Sequence, residues 1–124
     1  VHGDIHFDNI IITKNEEIKI IDFECYGMAP IDKEFDSVNR MIRNPNSFLS
    51  RQEKSIRYDE KEYAMIMNYF KLFYPSICSN KDFENRLIIY DCLNSMKWIS
   101  IFPNHQLYHD VLFNDSRKLI KKIK

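Results

Sequence analysis

The chain has 124 residues, and its 18 Lys and Arg side chains balance 18 Asp and Glu side chains, so the formal net charge is zero. This length fills one domain of ordinary size and allows a substantial apolar core. A neutral total lacks the basic excess typical of proteins that bind nucleic acids or anionic membranes, so neither partner is expected. No stretch approaches the roughly 20 apolar residues of a membrane span.

The three cysteines, Cys25, Cys78 and Cys92, form neither a CxxC metal motif nor an even disulfide framework. Reduced thiols of this kind indicate a cytoplasmic protein. The chain begins with Val1 rather than Met, which suggests a piece of a longer protein.

The neutral total hides an uneven distribution of charge. Residues 1–36 carry nine acidic and three basic side chains, whereas the remainder carries nine acidic and fifteen basic side chains. An acidic segment is either a solvated surface or a cation site. The positions of its carboxylates on the predicted elements decide between these two interpretations.

Isoleucines at 10–12 and at 18, 20 and 21 form two β-branched runs around the polar stretch 14–17, which predicts a β-hairpin. Antiparallel pairing brings the start of the first strand beside the end of the second. Asn9 and Asp22 are therefore predicted to be neighbours.

After Pro30 the apolar residues repeat at intervals of three and four, as in amphipathic helices. Helices are predicted over 33–43 and 59–73, with Pro75 beyond the end of the second. The polar stretch 44–58 between them is predicted to be a loop or a short exposed helix.

The same periodicity predicts a third helix over 80–102 and a helical last segment over 104–123, with a break at 114–116. The predicted fold class is therefore α+β, in which a short hairpin precedes a mostly helical lobe.

The residues that carry chemistry lie in HGDIHFDN, at 2–9, and in IIDFE, which contains Asp22. An Asp and an Asn separated by four residues, followed by an Asp at the end of a hairpin, form an arrangement that phosphoryl transfer requires. Asp4 can accept the proton of an attacking hydroxyl. The amide oxygen of Asn9 and the carboxylate of Asp22 can hold Mg²⁺ against nucleotide phosphates, because hard cations prefer oxygen ligands.

Other residues of this loop have supporting roles or none. Gly3 lets the backbone turn tightly beside the base, and His2 is predicted to brace the loop through a hydrogen bond. His6 and Asp8 are interpreted as loop residues without a catalytic role. Asp and Asn are also common turn and cap residues, but the joint pattern favours catalysis.

HGDIHFDN followed by IIDFE resembles the catalytic loop and metal-binding segment of the aminoglycoside phosphotransferase and choline kinase family, which typically reads HGDxxxxN and then IDF or IDW. The C-terminal lobe of that family is similar to that of protein kinases. The resemblance implies that Asp4 is the catalytic base, that Asn9 and Asp22 ligate Mg²⁺, and that His2 supports the loop. The implied reaction transfers the γ-phosphoryl group of ATP or GTP to a hydroxyl of a small molecule.

The resemblance also implies a domain organisation. Residues 1–124 correspond to the C-terminal lobe of a kinase-like phosphotransferase, with the catalytic loop, hairpin and metal segment in 1–36 and a helical substrate-side region in 37–124. The N-terminal nucleotide-binding lobe is expected upstream of Val1, because a chain with two glycines has no glycine-rich loop. These residues alone are expected to be inactive.

The family usually continues IDF with a stretch like GDPxxDLA. Here Asp36 is matched to the second acidic position of that stretch and is expected to support the loop, with Asp32 and Glu34 competing for the match.

In the family, helices downstream of the metal segment form the acceptor pocket. Asp91 and Asp110 are the candidates for recognising an amine-bearing acceptor, such as an aminoglycoside or choline. Trp98, with Tyr90 and Tyr108, offers rings for an aromatic cage around a choline-like cation.

Two alternative functions stay open. One is a non-catalytic, kinase-like binding domain. The other is a metallophosphoesterase, because the stretch Gly3-Asp4-Ile5-His6 looks like one metal motif of that class. Such enzymes also need an Asn-His pair in a glycine-bounded loop, and Asn104-His105 lacks that context.

Overall fold

The computed structural model describes residues 1–45 and 60–123 of the chain. They form two compact units, Val1–Ser79 and Asn80–Lys124. Most of the predicted loop or short helix at 44–58 lies outside the described residues.

The predicted hairpin is confirmed. It consists of β1 (Ile10–Ile12) and β2 (Ile18–Ile20), which pair antiparallel so that the first residue of each strand faces the last residue of the other. The turn is closed by the backbone of Thr13, which receives a hydrogen bond at its oxygen from Glu16 and donates one to Glu17 at 2.9 Å. The isoleucine next to the turn on each strand is 71 % exposed.

Short 3₁₀ turns connect the hairpin to its surroundings. They comprise Phe7–Asn9 before β1, Phe23–Cys25 after β2 and Ile31–Glu34, which leads directly into α1 (Phe35–Arg43). The helix predicted over 33–43 is thus confirmed, although its first turn is the tighter 3₁₀ form. Asp36 in the first turn of α1 and Arg40 in its last turn both complement the helix dipole.

The helix predicted over 59–73 is also confirmed, as α2 (Glu60–Phe73). Pro75 lies beyond its end as predicted, and it is also the first residue of a four-residue helix, α3 (Pro75–Cys78), which the sequence analysis did not predict. The fixed φ of proline suits the first helical position, where no backbone N–H is needed.

The core of the first unit lies where α1 meets α2. Phe35, Val38 and Met41 of α1 are at most 5 % exposed. The ring of Phe70 packs edge-on against that of Phe35, with centroids 4.8 Å apart, and the ring of Tyr74 is 6.4 Å from the same ring. Edge-to-face packing of this kind adds to the burial of apolar area.

The second unit is an antiparallel pair of long helices, α4 (Phe83–Ile101) and α5 (Gln106–Ile123). The direction follows from two contacts. Near the start of α4 and the end of α5, Lys122 Nζ donates to Asn85 Oδ1 at 2.7 Å. Farther along, Cys92 Sγ lies 4.0 Å from Ser116 Oγ.

The break predicted at 114–116 is wrong, because α5 runs through this segment without interruption. Asp115 is fully buried, and its Oδ1 accepts a hydrogen bond from Lys118 Nζ at 3.0 Å, one helical turn later. Polar side chains disrupt a helix when they bond to its backbone, whereas the bond of Asp115 to Lys118 joins two side chains of the helix.

The hairpin and the helices together confirm the α+β class. Among the described residues, no helix is both long enough and apolar enough to cross a membrane.

Replacing Phe35 by Ala should lower the free energy of unfolding by about 3–5 kcal/mol, because the side chain is buried and its removal leaves a cavity against Phe70. Thermal or urea denaturation followed by circular dichroism measures the loss. Phe73→Ala is the matched control, since Phe73 is 68 % exposed on the same unit. Equal losses in the two variants would contradict the assignment of Phe35 to the core.

Candidate functional site

The loop that precedes β1 is fastened at its start. Gly27 N donates to Val1 O at 3.0 Å, and Val1 N donates to Gly27 O at 2.9 Å. These two bonds hold residue 1 beside the segment that follows the second 3₁₀ turn. The start of the loop is therefore fixed to that segment through the backbone.

His2 links the loop to the end of β2. The residue is 7 % exposed, and its Nε2 lies 2.9 Å from Ile21 O. Its Nδ1 accepts a hydrogen bond from Asp4 N at 3.4 Å, so the pattern corresponds to the tautomer with the proton on Nε2. The ring also packs at 4.7 Å from the Phe23 ring. The ring therefore bonds within the loop, at Asp4, and also to Ile21, the residue directly before Asp22.

A carboxylate of the third 3₁₀ turn holds the backbone of the same loop. Glu34 accepts hydrogen bonds from two consecutive N–H groups, those of His2 and Gly3, with Gly3 N 3.3 Å from Oε1. Two N–H groups that would otherwise need water or a strand partner are satisfied in this way.

Sequence reasoning assigned this support to Asp36, with Glu34 as a competitor. In the structure, Asp36 is 2 % exposed and instead pairs with Lys33 and Arg40, with Arg40 Nε 3.5 Å from its Oδ1. The sequence offered three carboxylates, at 32, 34 and 36, as candidates for supporting the loop. Only the path of the 3₁₀ turn selects which of them reaches the loop.

Gly3 is required by both conformation and space. Its φ of +85° lies in the left-handed region, and a Cβ built on it would stand 2.6 Å from Cys25 O. That oxygen belongs to the backbone, so it cannot rotate away as a flexible side chain does. The glycine therefore allows the loop to pass close to the second 3₁₀ turn.

Asn9 is buried, 6 % exposed, and oriented by its neighbours. Its Nδ2 donates to Asp4 O at 3.0 Å, and its backbone oxygen accepts from Ile21 N at 3.0 Å. Because the amide nitrogen faces Asp4, the amide oxygen Oδ1 is the end left to act as a ligand. Since Ile21 bonds to Asn9 and directly precedes Asp22, the backbones of Asn9 and Asp22 are neighbours, as the hairpin pairing predicted.

Asp22 itself is exposed and adopts a left-handed conformation, with φ 62° and ψ 66°. Asp tolerates this region better than most residues do. This conformation changes the direction of the chain at Asp22, the predicted magnesium ligand. The pairing with β1 ends there, and the Phe23–Cys25 turn begins.

The donor set fits Mg²⁺ in its chemistry. An amide oxygen from Asn9 and a carboxylate from Asp22 are hard oxygen ligands, and Mg²⁺ is usually held by one or two carboxylates together with water and substrate phosphates. Within the described ranges, no group of three or more His, Cys, Asp or Glu side chains is arranged to hold a metal ion. A magnesium ion here would therefore take most of its ligands from phosphate and water oxygens.

The predicted base, Asp4, has a side chain that is 44 % exposed, so a substrate hydroxyl can reach it. Sequence reasoning gave His6 no role, yet its ring lies between two carboxylates of the loop. His6 Nε2 is 3.6 Å from Asp4 Oδ2, and His6 Nδ1 is 3.7 Å from Asp8 Oδ2. No sequence motif marks this bridging position, because it depends on how the 3₁₀ turn folds the loop.

Two of the predicted acceptor residues, Asp91 and Trp98, lie on α4, in the second unit. Asp91 is 1 % exposed, so it offers no accessible carboxylate to an amine. Trp98 stacks against Tyr108 at 5.9 Å and against Phe102 at 5.7 Å, with each pair of planes within 14° of parallel. A cage needs ring faces around a common space, whereas these rings lie nearly parallel to one another, and Lys97 Nζ lies over the Trp98 ring at 5.8 Å from its centre.

Cys78 lacks the environment of a cysteine nucleophile. Burial raises the pKa of the Cys78 thiol, and the positive charge of Lys71 opposes this only in part. A raised pKa keeps the thiol protonated at neutral pH, and the thiolate is the reactive form.

In comparisons with known proteins, no family model, curated protein or solved structure matches this chain.

Replacing Gly3 by Ala should lower the free energy of unfolding by about 1–3 kcal/mol, because an L residue is strained at this φ and the added methyl group meets Cys25 O. Gly27→Ala is the matched control, since a Cβ there meets nothing within 4 Å. Both changes reduce the entropy of the unfolded chain alike, so the difference reports on the native loop. Equal denaturation midpoints for the two variants would rule out the close approach.

Replacing Glu34 by Ala should leave the N–H groups of His2 and Gly3 without their acceptor and should cost about 1–3 kcal/mol of stability. Hydrogen exchange at these two amides, followed by NMR, should accelerate at the same time. Glu24→Ala is the control, because Glu24 is an exposed carboxylate in the neighbouring 3₁₀ turn. Unchanged exchange at both amides would show that Glu34 does not hold the loop.

Proposed function

We propose that this chain carries the catalytic loop and the metal-binding segment of a phosphotransferase of the aminoglycoside phosphotransferase and choline kinase type. The reaction transfers the γ-phosphoryl group of Mg-ATP or Mg-GTP to a hydroxyl of a small molecule. The observation that carries this proposal is the orientation of Asn9, whose amide nitrogen is bound to Asp4 O while its backbone is paired with Ile21, directly before Asp22. Three residues far apart in the motif are thereby linked through one hydrogen-bonded unit.

Asp4 is the proton acceptor in this proposal. As the acceptor hydroxyl forms its bond to the γ-phosphorus, the bond between that phosphorus and the β–γ bridging oxygen breaks, and the hydroxyl proton passes to the carboxylate of Asp4. The nucleoside diphosphate leaves with the electron pair of the broken bond. A half-exposed carboxylate on a fastened backbone suits this role, since it is accessible and its loop is held at several points.

Asn9 and Asp22 are the proposed ligands of Mg²⁺, which when bound neutralises charge on the β- and γ-phosphates. Burial of Asn9 and its bond to Asp4 O keep the amide from rotating, so Oδ1 is presented in one direction. The exposed carboxylate of Asp22 supplies the negative charge of the pair.

The proposed donor also needs contacts that these residues do not supply. The sequence has two glycines and therefore no glycine-rich loop to cover the phosphates. We accordingly expect phosphoryl transfer from a form of the protein that includes a nucleotide-binding lobe, and that form is the one in which activity is to be measured.

In that form, Asp4→Asn should lower the turnover number by about 10²–10⁴-fold, because the amide cannot accept the proton while its size preserves the fold. The measurement is steady-state phosphorylation across a panel of aminoglycosides, choline, ethanolamine, sugars and aliphatic or aromatic alcohols. Glu17→Gln is the matched control, since Glu17 is an exposed carboxylate in the hairpin turn. Its turnover should stay within about threefold of the parent enzyme.

Two results would contradict the proposal. Magnesium-nucleotide binding without transfer to any acceptor would favour a binding domain, and hydrolysis of a phosphoester without nucleotide would favour a metallophosphoesterase. Equal turnover of the Asp4 variant and the parent would reject Asp4 as the base even if transfer occurs.

A further inference from the structure

A cavity of about 250 Å³ lies in the first unit, between the catalytic loop and the helices that follow it. Ile5 lines it from the loop, Glu34 and Phe35 line it from the start of α1, and Phe70 and Ile77 line it from α2 and α3. Ile5 follows Asp4 directly, and consecutive Cα atoms are about 3.8 Å apart. The wall of the cavity therefore continues into the backbone of the proposed base.

The lining is almost entirely hydrocarbon. Glu34 is the one charged side chain among the described residues that line the cavity, and its oxygens already accept hydrogen bonds from His2 N and Gly3 N. An ammonium group inside the cavity would have to compete with these backbone donors for the carboxylate. The lining therefore favours an uncharged apolar occupant.

The aromatic lining does not form an open cage for a cation. Phe35 and Phe70 meet edge to face at an interplanar angle of 84°, so a ring face of one is covered by the edge of the other. Cation recognition by aromatic rings depends on free faces. An added aromatic ring can pack against this pair in the edge-to-face or offset-stacked geometries that aromatic groups prefer.

The volume sets the size of that group. An apolar protein cavity of about 150 Å³ holds one benzene ring. The cavity here has room for a six-membered ring and a short chain attached to it. Among the lining residues, Ile5 is the one adjacent to Asp4 in the chain, so a hydroxyl of the occupant would come nearest to the proposed base on the side of Ile5.

We propose that this cavity is the acceptor subsite, and that it binds the uncharged aromatic or branched hydrocarbon end of an alcohol whose hydroxyl faces the Asp4 loop. As an assignment of the acceptor, the inference rests on the proposed phosphotransferase function. As an assignment of a binding site, it is independent of nucleotide and of catalysis. Choline and aminoglycosides, which carry fixed or multiple positive charges, are disfavoured as occupants.

The test is a titration of the ¹⁵N-labelled 124-residue chain with 2-phenylethanol, without nucleotide or metal, followed by NMR. Saturable shifts are expected at the amides of Ile5, Phe70 and Ile77, with a dissociation constant of about 1–10 mM for a probe of this size. Intermolecular NOEs from the phenyl protons to the methyl groups of Ile5 and Val38 should place the ring in the cavity without recourse to a variant. Choline at equal concentrations should give no saturable shifts at these positions.

A filled cavity supplies the matched comparison. Ile77→Phe adds a ring at a half-buried lining position and should weaken binding at least tenfold, whereas Ile89→Phe, at a 43 % exposed position on α4, should leave binding unchanged. Tighter binding of choline than of 2-phenylethanol, equal binding by the two variants, or absence of the NOEs would overturn the inference. Because nucleotide is absent throughout, these results are separate from loss of phosphoryl transfer, which bears on the proposed function alone.

Discussion

The candidate site depends on one carboxylate, Glu34, which binds the N–H groups of two consecutive loop residues, His2 and Gly3. A loop that changes direction cannot bond these N–H groups to its own backbone oxygens. A buried N–H group without an acceptor costs about 1–3 kcal/mol of stability. The bond also ties the loop to α1, because Glu34 directly precedes that helix. Glu34 is next to the core residue Phe35, and its bonding partner Gly3 is next to Asp4. The packing of the core and the position of Asp4 are therefore coupled through this one contact.

The second tie runs through the end of β2, where the backbone of Ile21 bonds to both His2 and Asn9. A two-stranded hairpin is marginal when isolated, so contacts at its open end matter more than they would in a larger sheet. The side chains of the strands are mostly exposed, so the strands add little to the apolar core. Their role is to present Asn9 and Asp22 at one end of the hairpin.

Elements with a strong local signal were predictable from the sequence, and interactions that depend on the path of the backbone were not. Isoleucine runs and helical spacing predicted the hairpin and the long helices to within a few residues. Three carboxylates at alternate positions, 32, 34 and 36, look equivalent in sequence, and only the 3₁₀ turn aims Glu34 at the loop. The expected break at 114–116 failed because the burial of Asp115 overrides its intrinsic preference for turns. The stacking of Trp98 on Tyr108 likewise reflects a helix–helix arrangement that no local pattern encodes.

The exposed hairpin has a consequence for the colloidal behaviour of the protein. Within residues 1–45 and 60–123, the sheet has two strands only, so each strand has an outer edge of peptide groups without a ladder partner. An edge built from Ile10–Ile12 is short, apolar and free of the charged or proline residues with which natural strands prevent association with other chains. Lys19 gives β2 a charge that β1 lacks. Of the two edges, that of β1 is the better template for strand addition, and it is where a solubilising charge would be introduced first.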